Sequence, residues 1–265
     1  MLYIVTAVHN RYKITEKFIE NLKTQTYKEF KIILVDDGST DKTDKMVLEN
    51  FPDAVILYGD GNLWWGGALQ KAFEHIVKTP EINDNDLVLI MNDDAFIEND
   101  FLKIGTRILL KNTNSLVTAC GYSLNSGKQI DGAVSFDYKT GSSSVLEGSS
   151  FGNCASTRAL FLRVCDMKKI GGFHKILLPH YASDYEYTIR AHKKGLSIIA
   201  DSELKYIFDE GTTGIKDKTS LTFKNIFSKR SVFNPIYRFS FIFLATPIKF
   251  IPVHLKNQIL RYLKQ

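Results

Sequence analysis

A chain of 265 residues with 44% hydrophobic and 24% charged residues has the composition of an ordinary soluble globular protein. Three cysteines, Cys120, Cys154 and Cys165, form no CxxC pair and no even framework, which favours free thiols in a reducing compartment and excludes a disulfide scaffold. The net charge of +5 is unevenly spread: residues 216–265 carry ten Lys/Arg against the single acid Asp217, and the remaining 24 bases face 28 acids.

Met1 to Val8 run straight into a strand pattern with no basic n-region or small-residue cleavage site, so no secretory signal is expected. Leu2 to Val8 predicts a strand, and Tyr12 to Thr24 a helix with Ile14, Phe18, Ile19 and Leu22 near helical spacing. A second strand, Phe30 to Val35, ends at Asp36, and Ser39 or Asp41 is placed to cap a helix reaching Glu49. A third strand, Ala54 to Tyr58, runs into Gly59-Asp60-Gly61-Asn62, followed by a helix from Gly67 to Val77 and the strand Leu87 to Met91. This alternation implies a parallel sheet with crossover helices.

The pattern changes after residue 100. Phe101 to Lys111 predicts a helix and Ser115 to Cys120 a strand; residues 122–150, rich in Ser and Gly, suit a hairpin or an open loop. Ala159 to Val164 reads as a short strand, Ser183 to Lys194 as a helix stopped by Gly195, and Leu196 to Ala200 as a further strand. The expected organisation is two halves of one domain, 1–100 and 101–215, and a basic tail at 216–265.

Acids stand at chosen places in this scheme. Asp36-Asp37-Gly38-Ser39 and Asn92-Asp93-Asp94 each follow an apolar strand, where an open α/β sheet has its ligand crevice. The third acidic segment is Ser183-Asp184-Tyr185-Glu186. On a helix, Asp184 and Glu186 lie about 200° apart, whereas Glu186 and Arg190 share a face at i, i+4 and can pair. Asp184 is thus the acid left for a pocket, with a helix N-cap as its ordinary alternative.

Thr6-Ala7-Val8-His9-Asn10-Arg11, VDDGSTD at 35–41, NDDA at 92–95 and SDYEYTIR at 183–190, taken in this order, resemble family 2 glycosyltransferases across residues 2–214. The Gly59 to Ala68 stretch is similar in style to the branch that builds bacterial surface polysaccharides, including rhamnosyltransferase-like members. The resemblance implies a GT-A fold, Rossmann-like, with a mostly parallel central sheet flanked by helices and a C-terminal helical tail. It implies an inverting enzyme that moves a sugar from a UDP- or dTDP-sugar to a glycan acceptor. It also implies nucleotide-sugar contacts at Thr6, Asp36, Asp37, Asn62, Gly67, Asn92 and Asp93, a divalent metal (Mg²⁺ or Mn²⁺) at Asp94, and Asp184 as general base. Trp64, Trp65 and His180 are candidate acceptor or sugar contacts.

Two departures stand out. Asn92 replaces the first acid of the DxD motif, so the turn brings one charge fewer. Where relatives often carry a metal-reaching His, this chain reads Tyr206-Ile207-Phe208-Asp209-Glu210, leaving Asp209, Glu210 or water as substitutes. The competing classes are a nucleotidyltransferase, which would show an early Gly-rich basic loop, and a non-catalytic sugar-nucleotide-binding protein, which would have no need of Asp184. The first strand turn also lacks GxGxxG, against a dinucleotide enzyme.

In the tail, Arg238 and Lys249 enclose ten apolar or small residues with a proline, too few to cross a bilayer. Basic flanks on an apolar run suit the membrane interface; a helix pair packed on the catalytic domain is the other reading. The expectation is a cytoplasmic protein, peripheral at the inner face of the cell membrane, with a lipid-linked glycan acceptor and no nucleic acid partner.

Overall fold

The computed structural model describes residues 1–209, 227–228, 231 and 234–263. Its strands are β1 (Leu2–Val8), β2 (Phe30–Asp36), β3 (Val55–Tyr58), β4 (Leu87–Met91), β5 (Ala95–Ile97), β6 (Ser115–Ser123), β7 (Gln129–Asp131), β8 (Ala133–Phe136), β9 (Ser143–Val145), β10 (Ser150–Gly152), β11 (Cys154–Ala155), β12 (Ala159–Arg163) and β13 (Ser197–Phe208). The described helices are α1 (Tyr12–Lys23), α2 (Thr43–Asn50), α3 (Trp64–Lys78), α4 (Phe101–Lys111), α5 (Val164–Ile170), α6 (Ser183–Lys193), α7 (Pro235–Ala245) and α8 (Ile251–Leu263).

One large sheet runs in the order β10-β13-β6-β12-β4-β1-β2-β3, with β5 on β13 and β7 on β6. The four strands β4, β1, β2 and β3 are parallel, and so are β6 and β13; β12 runs antiparallel to both its neighbours. The sheet is continuous through residues 1–208, so the two expected halves share one scaffold.

Strand alternation sends side chains to two cores. Leu2, Ile4, Val8, Ile32, Leu34, Leu89 and Met91 pack against α1, α2 and α4. Tyr3, Val5, Ile33, Val35, Val88 and Ile90 pack against α3, α5 and α6. Both faces are covered, which is why the central strands read as near-continuous apolar runs.

The sequence-based limits hold at β1, β4 and α4. β13 is longer than expected: it runs twelve residues to Phe208, through a register shift between Asp201 and Lys205. α5 follows β12 directly and did not stand out in the sequence. Residues 122–150 fold as β7, β8 and β9, the last two in a small sheet with β11.

The C-terminal helices dock on that small sheet and on α6. Phe241 and Ala245 pack with Phe136, Val134 and Ile189. From α8, Asn257 and Arg261 donate to the carbonyls of Lys139 and Thr140 at 2.9 Å each, and buried His254 pairs with Thr246. The packed-pair reading of the tail thus holds for these helices, yet Ile236, Phe243, Ile248, Val253, Ile259 and Leu260 stay exposed. Lys216, Lys218, Lys224, Lys229, Arg230 and Lys264 lie outside the described residues, as does Glu210.

Candidate active site

The neighbours of β1 are β2 on one side and β4 on the other, so chain order reverses at β1, the kind of switch point where an open α/β sheet has its ligand crevice beyond the carboxyl ends of the strands. Arg11, just past β1, crosses that crevice to Asp93, just past β4. Its Nε lies 3.0 Å from both carboxylate oxygens and its Nη2 2.9 Å from Oδ1; Thr15 of α1 donates to Oδ2 at 2.8 Å. Asp93 is buried and saturated, so it braces the crevice instead of opening into it. Asp94 lies beside it, its Oδ2 3.6 Å from Arg11 Nη2.

The first acidic turn is built the same way. Asp36 Oδ1 accepts from Ser39 N–H at 2.7 Å. Asp37 Oδ1 accepts from Gly61 N–H at 2.8 Å, and its Oδ2 accepts from Leu63 and Trp64 N–H at 2.9 and 3.1 Å. The Asp37 carboxylate therefore caps α3 from a neighbouring strand, supplying the acceptor that the helix start lacks locally. This is why α3 begins at Trp64, three residues before the sequence limit. Trp64 sits at φ +58°, an unusual conformation for a bulky residue, held by these bonds.

The expected nucleotide-sugar contacts divide. Thr6 faces the α1–α2–α4 core with Ile4 and Val8; it is fully buried and its hydroxyl has no hydrogen-bond partner among the described residues. Gly67 is buried in α3, its N–H spent on the Leu63 carbonyl. Asn62 is exposed at the turn before α3. Asn92 donates its backbone N–H to the Arg158 carbonyl at 2.9 Å. Trp65 anchors inward, its Nε1 donating to Thr157 Oγ1 at 2.9 Å. Trp64 instead meets His180, ring centroids 5.5 Å apart.

That contact joins α3 to the segment leading into α6. Gly66 N–H donates to the Pro179 carbonyl at 2.8 Å, and a Cβ at Gly66 would stand 2.5 Å from the Leu178 carbonyl oxygen, so only glycine fits there. Ala182 occupies the cap position of α6, leaving Asp184 inside the first turn. Glu186 is consumed by Arg190, with Nε–Oε1 2.8 Å and Nη2–Oε2 2.9 Å, and the same guanidinium binds the carbonyls of Ile170 and Gly172. The expected i, i+4 pair is thus a buried structural brace.

Asp184 has a different environment. Its Oδ1 accepts from Tyr185 N–H at 2.9 Å, and its own backbone N–H also pulls on the carboxyl. Burial, reinforced by the charge of Asp131, pushes its carboxyl up to about 6 against the pull of those N–H groups and of Arg158. Asp131 was not foreseen: it sits on the three-residue β7 and accepts from Ser156 Oγ at 2.6 Å, Gly132 N–H at 2.8 Å and the Tyr206 hydroxyl. Tyr206 also feels the charges of Asp94 and Arg158. No local signal marks Asp131, because β7 is short and its partners lie 25 and 75 residues away.

Among the described residues, no three His, Cys, Asp or Glu side chains converge as a ready-made cation cage. A single strand-end carboxylate, Asp94, still fits a divalent ion that arrives with a diphosphate, since such ions are commonly held by one or two carboxylates plus substrate phosphates.

A family model described as Glycosyl transferase family 2 matches residues 3–166. The chain belongs to that family. Three solved structures illustrate the shared GT-A fold. TarS of S. aureus has a TM-score of 0.59 at 18% identity over 78% of this chain and 36% of its own. The Pyrobaculum calidifontis mannosyltransferase PcManGT, solved with GDP-Man and Mn²⁺, has a TM-score of 0.59 at 16% identity over 80% and 58%. GalNAc-T7, solved with UDP, GalNAc and Mn²⁺, has a TM-score of 0.64 at 8% identity over 79% and 44%. The chain thus spans between about a third and three-fifths of the length of these structures. No curated protein matches it by sequence.

Proposed function

We propose that this glycosyltransferase is inverting and moves a hexose or deoxyhexose from a UDP- or dTDP-sugar to a glycan acceptor carried on a lipid, in surface polysaccharide synthesis. The observation that carries the reading is Asp184, a first-turn carboxyl whose pKa is raised to about 6 beside Asp131 and Arg158. A base poised near neutrality can take a proton from an acceptor hydroxyl and release it again between turnovers. The acceptor oxygen attacks the anomeric carbon, its proton passes to Asp184, and the diphosphate departs on the opposite face with the bonding electron pair.

The other residues hold the reactants. Asp37 fixes the start of α3, which carries Trp64, its ring tilted 54° against that of His180, an aromatic face of the kind that suits a sugar. Arg11 and Asp93 lock the crevice between β1 and β4. Asp94 would hold the divalent ion, Mg²⁺ or Mn²⁺, which when bound neutralises charge on the diphosphate. The ligands of the similar structures, UDP, GDP-Man and Mn²⁺, support this donor class and ion.

The membrane part of the proposal rests on α7, α8 and the turn between them. No described helix is long and apolar enough to cross a bilayer. Residues 218–265 contain no acid, and the exposed apolar side chains of 236–260 lie among Arg238, Lys249, Lys256 and Arg261. Exposed apolar residues interspersed with cations along the chain suit the anionic inner leaflet, where a lipid-linked acceptor is presented.

The test is turnover of a labelled nucleotide sugar with a lipid-linked acceptor. Release of the nucleoside diphosphate with an inverted linkage supports the reading, and loss of that turnover in Asp184→Asn with donor binding retained assigns the base. Pyrophosphate release would mean a nucleotidyltransferase, and full activity in Asp184→Asn would remove Asp184 from the role.

A further inference from the structure

The central sheet reverses direction once beside the site. β12 runs antiparallel to β4, so the beginning of β12 lies next to the end of β4. A residue just before β12 therefore arrives at the same edge as the strand-end acids. That residue is Arg158. Its carbonyl accepts from Asn92 N–H, and Ala159 pairs with Met91. Its guanidinium lies 4.1 Å over the ring of Phe208, whose strand pairs Phe208 with Ala95, the residue after Asp94. Arg158 thus spans the NDD turn from its first residue to the residue beyond its last.

The two arginines at this edge differ. Arg11 is spent on Asp93. Arg158 is held by an aromatic ring, and its Nη1 is buried with no hydrogen-bond partner among the described residues. A buried charged donor without an acceptor is costly, and a guanidinium cannot shed its proton to escape. An anionic ligand removes that cost, and the planar fork of N–H donors matches phosphate oxygens. The charge of Arg158 reaches both Asp184 and Tyr206.

We propose that Arg158 binds the diphosphate of the donor, donating to the phosphate next to the sugar. The inference rests on the glycosyl-transfer reading above. As the acceptor oxygen bonds to the anomeric carbon, the bond from that carbon to the phosphate oxygen breaks and its electron pair stays on the diphosphate. Arg158 meets the charge gathering there, while the acceptor proton goes to Asp184. It supplies fixed positive charge at a turn where Asn92 brings no anionic ligand for an ion.

Calorimetric titration of the full chain with UMP, GMP and dTMP and with UDP, GDP and dTDP, in Mn²⁺, tests this. For the base that binds, Arg158→Gln should lose about tenfold to a hundredfold in nucleoside diphosphate affinity and less than about threefold for the monophosphate. Arg158→Lys should recover part of the loss; if Arg158→Gln does not fold, Arg158→Lys carries the test with a several-fold loss confined to the diphosphate. Unchanged diphosphate affinity overturns the proposal, and so does an equal loss for both ligands, which marks a structural role. A native chain that binds none of the three diphosphates overturns the donor reading itself, an outcome seen before any variant is made.

Discussion

The carboxylates of the two sides of this site are used in opposite ways. On the β1–β4 side, Asp37 and Asp93 spend themselves on the protein: three backbone N–H groups for one, Arg11 and Thr15 for the other. On the α6 side, Asp184 is held by backbone N–H groups of its own turn with Asp131 nearby, and its carboxyl is pushed up to about 6; burial raises Asp93 as well, but there against the ion pair with Arg11. Saturated acids make a rigid frame; an acid held by its own turn alone is the one available for the proton transfer proposed above. Hydrogen-bond partners tell these apart where the residue type does not.

The largest test of that contrast is Asp184→Asn, for which turnover should fall about a hundredfold or more. The same change should stabilise the fold. A carboxyl whose pKa is raised in the folded state weakens folding as pH climbs from about 4 through 6, so at pH 8 the variant should gain about 1–3 kcal/mol and match the native chain near pH 3. A denaturant series at both pH values reads this; equal stabilities at pH 8 would contradict the burial account. Next, Asp93→Ala leaves Arg11 and Thr15 facing a lost partner and should cost about 2–4 kcal/mol in the same measurement, independent of donor. Asp37→Ala strips three N–H groups of their acceptor and should cost about 1–3 kcal/mol, with the first turn of α3 exchanging amide hydrogens faster. A stable variant with normal exchange would break the frame side of the comparison.

Two smaller effects sharpen it. The acid limb of kcat/KM should fall about tenfold per pH unit below pH 6, and a limb near pH 4 would assign the ionisation to another group. Charge reversal at Lys249 and Lys256 together should weaken binding to anionic vesicles about tenfold or more, at unchanged turnover of a soluble acceptor. Equal vesicle binding would detach α7 and α8 from the membrane.

Much of the fold was legible because buried parallel strands are apolar runs bounded by turn residues, and the runs at 2–8 and 87–91 have no competing reading. The start of α3 was not, since its cap comes from Asp37, about 26 residues upstream. For the site, Asp184 could be told from Glu186 by helical angle alone, and the buried Glu186–Arg190 pair bears out that geometry. Asp131 and Arg158 could not be found this way. One lies on a three-residue strand, the other before an antiparallel strand, and only the sheet order brings them to the acids.

The contact at Gly66 has a mechanical consequence. There, the backbone of the helix whose start is clamped by Asp37 abuts the backbone of the segment that delivers Asp184, with no room for even a methyl group between them. The two walls behave as meshed gears: a displacement of one cannot be absorbed by side-chain cushioning and must turn the other. Alanine at position 66 would push them out of mesh, shifting Asp184 against the start of α3 without altering either of those side chains.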